Sequence, residues 1–179
     1  MRIKSFKNFI GNDSYIYING TDIVKSNICD IIDIFCTQYL LISVVALDCE
    51  CEFFQKISKI ENEFMIIPPP STQITSKTQI FTELQYLLPF WGDLLESYPR
   101  SITIYGLGNV SYTDIEKISE TFRKVKDNKL INHGISNFIL DVILDENIVL
   151  LSFNKKTFSF REVLKKINSI KKTGNSALF

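Results

Sequence analysis

The sequence predicts an α/β domain, with an α+β arrangement as its near variant: one mixed β-sheet with helices packed on it and a C-terminal β-hairpin followed by a helix. Three observations carry this. Short β-branched or aromatic runs alternate with segments of helical period along the chain. Two β-rich runs near the C-terminal end meet at the polar triplet Asp145-Glu146-Asn147. The chain has 179 residues, 45% apolar and 12% aromatic, and a chain of that size buries about 70% of its unfolded surface, enough for one core without a metal or disulfide staple. A single domain over residues 1–172 with a frayed tail at 173–179 is the expected organisation.

Taken in order, Ser14 to Asn19 alternates and closes on Asn19-Gly20, which reads as a strand and turn. Thr21 to Tyr39 spaces Ile23, Ile28, Ile31, Ile32, Phe35 and Cys36 as an amphipathic helix does. Asp22, Asp30 and Asp33 fall on its outer face. Leu40 to Asp48 is rich in Val, Ile and Leu and predicts a strand covered on both sides. Glu52 to Asn62 reads as a short helix and Glu63 to Ile67 as a strand stopped by Pro68-Pro69-Pro70, with Pro68 to Ser76 as a surface loop.

From Ser76 to Tyr98 the positions Ile80, Phe81, Leu84, Leu87, Leu88, Trp91, Leu94 and Leu95 hold helical spacing, with Pro89 predicting a kink or a junction near Phe90. Ser101 to Tyr105 is the next strand, and Gly106 to Asn109 a loop. Thr113 and Glu116 make a capping box for a helix whose inner face is Ile115, Ile118, Phe122 and Val125. Its basic end, Arg123 to Lys129, suits the negative end of a helix dipole. Asn137 to Leu144 and Ile148 to Phe153 form the hairpin. Ser159 and Glu162 make a second capping box opening the last helix, with Lys165, Lys166, Lys171 and Lys172 outward.

Composition narrows the function. The 20 basic and 20 acidic side chains cancel, but residues 1–100 hold 8 basic and 12 acidic while residues 101–179 hold 12 and 8. Between Asp22 and Glu63, eight acids face three lysines, a concentration of negative potential that attracts basic partners and speeds their encounter. The four cysteines, Cys29, Cys36, Cys49 and Cys51, contain no C-x-x-C, and the one histidine, His133, lies far downstream, so zinc ligation is not expected. The chain opens Met-Arg-Ile-Lys without an apolar leader, and its longest apolar run is too short to cross a bilayer, which predicts a cytoplasmic protein that makes no membrane contact.

Four constellations bear on chemistry. Asp48-Cys49-Glu50-Cys51-Glu52, if extended, sets three carboxylates on one side, able to hold Mg²⁺ or to face a partner, but no lysine follows at the spacing a nuclease needs. Gly106-x-Gly108 follows a strand and precedes a helix, as a phosphate loop does, but Ser111 stands where the third glycine belongs. His133 beside Asn132 and Gly134 reads as a turn residue without a nucleophile to recruit it. The basic residues near Lys124 and Lys165 lie on two helices with few aromatics between them, and no nucleic-acid partner is expected.

The acidic stretch Asp22 to Glu63, together with Trp91-Gly92-Asp93-Leu94-Leu95 and Tyr105-Gly106-Leu107-Gly108-Asn109, resembles immunity proteins of bacterial toxin systems, including those of contact-dependent growth inhibition. The resemblance implies a binding protein with no enzymatic activity and no cofactor, whose partner is a cognate toxin domain, a basic nuclease being the fitting class because such enzymes bind a polyphosphate. The acids assigned to the partner-facing surface are Asp30, Asp33, Asp48, Glu50, Glu52, Glu61 and Glu63, with Tyr15, Tyr17 and Tyr39 as anchoring aromatics. The alternatives are a small enzyme, nucleotide-dependent through Gly106 or metal-dependent through Asp48 and Glu50, and a structural subunit.

Overall fold

The computed structural model describes residues 3–7, 14–45, 64–67, 77–96, 99–108, 115–124, 130–131 and 134–174. These form β1 (Ile3–Lys7), β2 (Ser14–Asn19), α1 (Asp22–Asp33), β3 (Tyr39–Val45), β4 (Phe64–Ile67), β5 (Lys77–Glu83), α2 (Leu84–Glu96), β6 (Ser101–Leu107), α3 (Ile115–Lys124), β7 (Ser136–Ile143), β8 (Ile148–Phe153) and α4 (Phe160–Gly174). The eight strands make one sheet in the order β1-β2-β8-β7-β6-β3-β5-β4. The class is mixed α/β in one domain, with the expected hairpin and helix at its C-terminal end. Within that class the strands do not mix direction: all seven described pairings are antiparallel, the α+β form of the architecture.

Side chains alternate across the sheet, so the strands at its middle, β3, β5, β6 and β7, serve two cores. On the first face Ile16, Ile18, Leu40, Ile42, Ile80, Ile104, Leu140, Val149 and Leu151 are buried against α1, α2 and α4. On the second face Leu41, Phe81, Tyr105, Leu107 and Ile139 are buried with Phe122 of α3 and the helical turn at Leu130 and Ile131. Strand β3 is buried along Leu40 to Val44, as a strand covered on both sides must be. It lies inside the sheet between β6 and β5.

Four expectations are corrected. The segment Lys77–Glu83 is a strand and not the start of a helix, because Thr78, Ile80, Phe81 and Thr82 fit between β3 and β4 and feed both faces. Helix α2 follows at once, so apolar positions of a strand and a helix run together and mimic a single helical period. Pro89 lies within that helix, one turn past its start. Helix α1 ends at Asp33 rather than reaching Tyr39, since Cys36 takes a left-handed conformation (φ 49°) and Tyr39 begins β3. Strand β6 continues through Gly106 and Leu107, past the expected loop boundary, and β1 has no counterpart in the sequence reading.

The expected helix Glu52–Asn62, the loop Pro68–Ser76 and the cap at Thr113 lie outside the described residues, as do residues 175–179. Helix α4 itself runs to Gly174, two residues into the segment expected to fray.

One polar side chain ties the two halves of the chain together. Asn147, in the β7–β8 turn with φ 53°, accepts through Oδ1 from the Thr21 backbone N–H (2.8 Å) and the Thr21 hydroxyl (2.9 Å), while its carbonyl accepts from Gly20 N–H (2.7 Å). The start of α1 is thereby fixed to the hairpin, and Thr21 makes no side-chain cap of its own. Asn147→Ala should cost about 1–3 kcal/mol, from lost hydrogen bonds and a left-handed residue without asparagine's tolerance for it. The urea midpoint reads this directly; an unchanged midpoint would show that the clamp contributes nothing.

Candidate functional site

Of the seven acids assigned to a partner, the described residues hold Asp30 and Asp33. Asp48, Glu50, Glu52, Glu61 and Glu63 lie outside them, as do His133, Cys49 and Cys51. Asp30 and Asp33 occupy the last turn of α1, both exposed, while Ile28, Ile31 and Ile32 hold the helix to the core. The helix is broken at Asn27 (φ −134°, ψ 30°), and the Asn27 amide donates to Asp30 Oδ2 at 3.3 Å. No basic residue lies in the last turn. Asp33, the last residue of α1, stands at the negative end of the helix dipole and opposes its field, whereas Asp30 lies three residues past the break and is held by Asn27. The two carboxylates together leave a negative potential at this end of the helix.

Cys29 reports that field. Partial burial, then Asp33 and then Asp30, push its thiol up to about 11. A thiol reacts as its thiolate, so at neutral pH Cys29 should alkylate slowly, behind the exposed Cys36. Changing Asp30 and Asp33 to asparagine removes two of the three causes and lowers the Cys29 value, and each unit of lowering raises the thiolate fraction about tenfold. Faster Cys29 labelling in the Asp30→Asn/Asp33→Asn variant is the expected result. Equal rates would mean that the carboxylates create no appreciable potential at the helix end.

The other candidates fall differently. Gly106 does not cradle a phosphate: it sits in β6, paired with Leu40 and Phe138, and a Cβ there would lie 2.0 Å from the Phe138 ring. Its carbonyl accepts from the buried Ser136 hydroxyl (3.0 Å). Glycine is required there by packing. Tyr39 is half-buried and stacks on Phe81 at 5.7 Å between ring centroids, so it belongs to the second core and is not an exposed anchor. Tyr15 and Tyr17 are half-buried on β2. Trp91, in the segment that carried part of the family likeness, is buried and donates its indole N–H to the Val24 carbonyl (3.1 Å), joining α2 to α1.

A shallow pocket of about 320 Å³ opens beside the start of α2, lined by Thr37, Gln38, Glu83, Leu84 and Gln85. The Glu83 carboxylate already accepts from the Gln85 amide at 2.9 Å. No motif announces this pocket, because it is assembled from a loop, a strand end and a helix start. Among the described residues no three His, Cys, Asp or Glu side chains are grouped to hold a metal ion, and no helix is long and apolar enough to cross a membrane.

No known protein family matches the sequence, and no curated protein does. Among solved structures the chain is similar to the aspartate kinase of Clostridium acetobutylicum, described as an allosteric enzyme, at 14% identity, covering 75% of this chain and 33% of that one with a TM-score of 0.22. The chain thus spans about a third of that protein's length, and a likeness of this size carries no argument about fold or activity.

Proposed function

We propose that this chain is an immunity-type inhibitor, which binds a basic toxin domain and covers its active site, with no turnover of its own. The observation that carries the reading is the pair Asp30 and Asp33: exposed, near enough to each other that both raise the Cys29 thiol, and without an ion pair among the described residues. Exposed acids grouped in this way and left unpaired are best understood as half of an interaction that a cationic surface completes. Asp48, Glu50, Glu52, Glu61 and Glu63 are proposed to extend the same surface, and the protein is proposed to work in the cytoplasm.

Gene neighbourhood and protection test this reading together. A large toxin gene is expected immediately upstream, and co-expression of this chain with that toxin's C-terminal domain should restore growth. Metabolic genes in that position, or toxicity that this chain leaves unchanged, would overturn it. Nucleotides and divalent metals are expected to leave the melting temperature unmoved, whereas a true ligand at a hundred times its Kd would stabilise the fold by about 2.7 kcal/mol.

A further inference from the structure

Helices α1 and α4 lie side by side on the first face and run in opposite directions. Helix α1 starts at the Asn147 end of the hairpin and leads to Phe35, whose ring meets Phe153 at 5.7 Å and Phe158 at 5.1 Å. Helix α4 starts at this Phe153 end, away from Asn147, where Phe160 stacks on Phe153 at 6.2 Å. The last turn of α1 is therefore level with the first turns of α4.

The outward residues of the two helices differ in sign. Asp22, Asp30 and Asp33 are exposed on α1 beside one exposed base, Lys25; Arg161, Lys165 and Lys166 are exposed on α4, where Glu162 is the one exposed acid among the described residues. Among the described residues no ion pair links the two rows, the ion pair there being Lys124 with Glu120 on α3. Arg161 at the start of α4 opposes its helix dipole just as Asp33 does at the end of α1.

We infer that this two-signed ridge docks on a second copy of the chain. A two-fold axis lying between α1 and α4 and parallel to them sets α1 of each copy on α4 of the other. Because the helices are antiparallel, Asp30 and Asp33 come level with Arg161 and Lys165 across the axis, and each contact occurs twice. Charge complementarity points to the occupant: this chain itself carries a surface with both signs at the matching spacing, so one contact between two copies satisfies both rows, whereas a basic domain would satisfy Asp30 and Asp33 alone. Built from exposed charge, the association is weak and salt-sensitive. The inference stands independently of the toxin-binding proposal, but it uses the same aspartates, so a bound basic partner and a second copy exclude each other.

Sedimentation velocity of the full chain tests it without any other protein. The expected result is reversible dimer in low salt that grows with concentration and disappears in about 1 M salt, where the Debye length is about 3 Å. The Asp30→Lys/Asp33→Lys and Lys165→Glu/Lys166→Glu variants, altered only at exposed positions, should each self-associate at least about tenfold more weakly and form a heterodimer when mixed. A wild-type chain that stays monomeric in low salt overturns the inference. So do variants that self-associate as wild type does, or reversed variants that fail to pair on mixing.

Discussion

Gly106→Ala is expected to destabilise the domain by about 3 kcal/mol, the upper end of what overpacking a core costs and a large share of the ~5–15 kcal/mol that holds a domain folded. The added methyl would lie 2.0 Å from one carbon of the Phe138 ring and 2.3 Å from another. Neither side can yield cheaply. Gly106 is fixed by pairing to both β3 and β7, and Phe138 is buried and stacked against Phe35 at 4.6 Å. The pair resembles the arrangement in which an aromatic ring on one strand covers a glycine on its neighbour: the ring fills space the glycine leaves, and each residue is right only because of the other. Phe138→Ala alone should cost about 3–5 kcal/mol. The double variant should cost clearly less than the sum, since removing the ring makes room for the methyl. Urea midpoints of the four chains measure the coupling, and strict additivity would refute this account of the glycine.

Phe35→Ala should be the most damaging single truncation near the site, at about 3–5 kcal/mol. Phe35 lies just past α1, yet its ring is fully buried and contacts Phe138 by stacking, Phe158 edge-on and Phe153 at a tilt. Aromatic pairs of this geometry add about 0.5–1.5 kcal/mol each beyond their buried area. The ring is thus the peg that holds the acidic end of α1 against the hairpin and the start of α4. Phe35→Leu should cost less, because most of the apolar volume stays. If alanine and leucine were equally tolerated, the aromatic cluster would not be what positions Asp30 and Asp33.

Much of the fold could be read from the residues. The β2 strand, the buried β3, the hairpin at Asp145 to Asn147 and the final helix all carry local signals strong enough to survive tertiary context. Strand β5 could not be read, because it joins α2 without a spacer and Ile80, Phe81 and Leu84 happen to satisfy a helical period. Antiparallel direction throughout the sheet is also invisible locally, being fixed by which strands meet across long intervals, such as β6 with β3. Gly106 misled for a related reason. A glycine after a strand usually marks a turn, and only the ring of Phe138, thirty-two residues on, shows it to be inside the sheet. The acids were legible as a composition; that Asp33 stands at a helix end which disfavours it appears only once α1 is seen to stop there.

The proposed partner surface is the acidic end of α1, facing a basic protein. The association rate of this chain with the basic toxin domain proposed as its partner, measured across ionic strength for wild type and for Asp30→Lys/Asp33→Lys, tests this. Fast, strongly salt-dependent association is expected for wild type. The reversed chain should associate at least about tenfold more slowly and with a shallower salt slope. Rates and slopes that coincide for the two chains would contradict it.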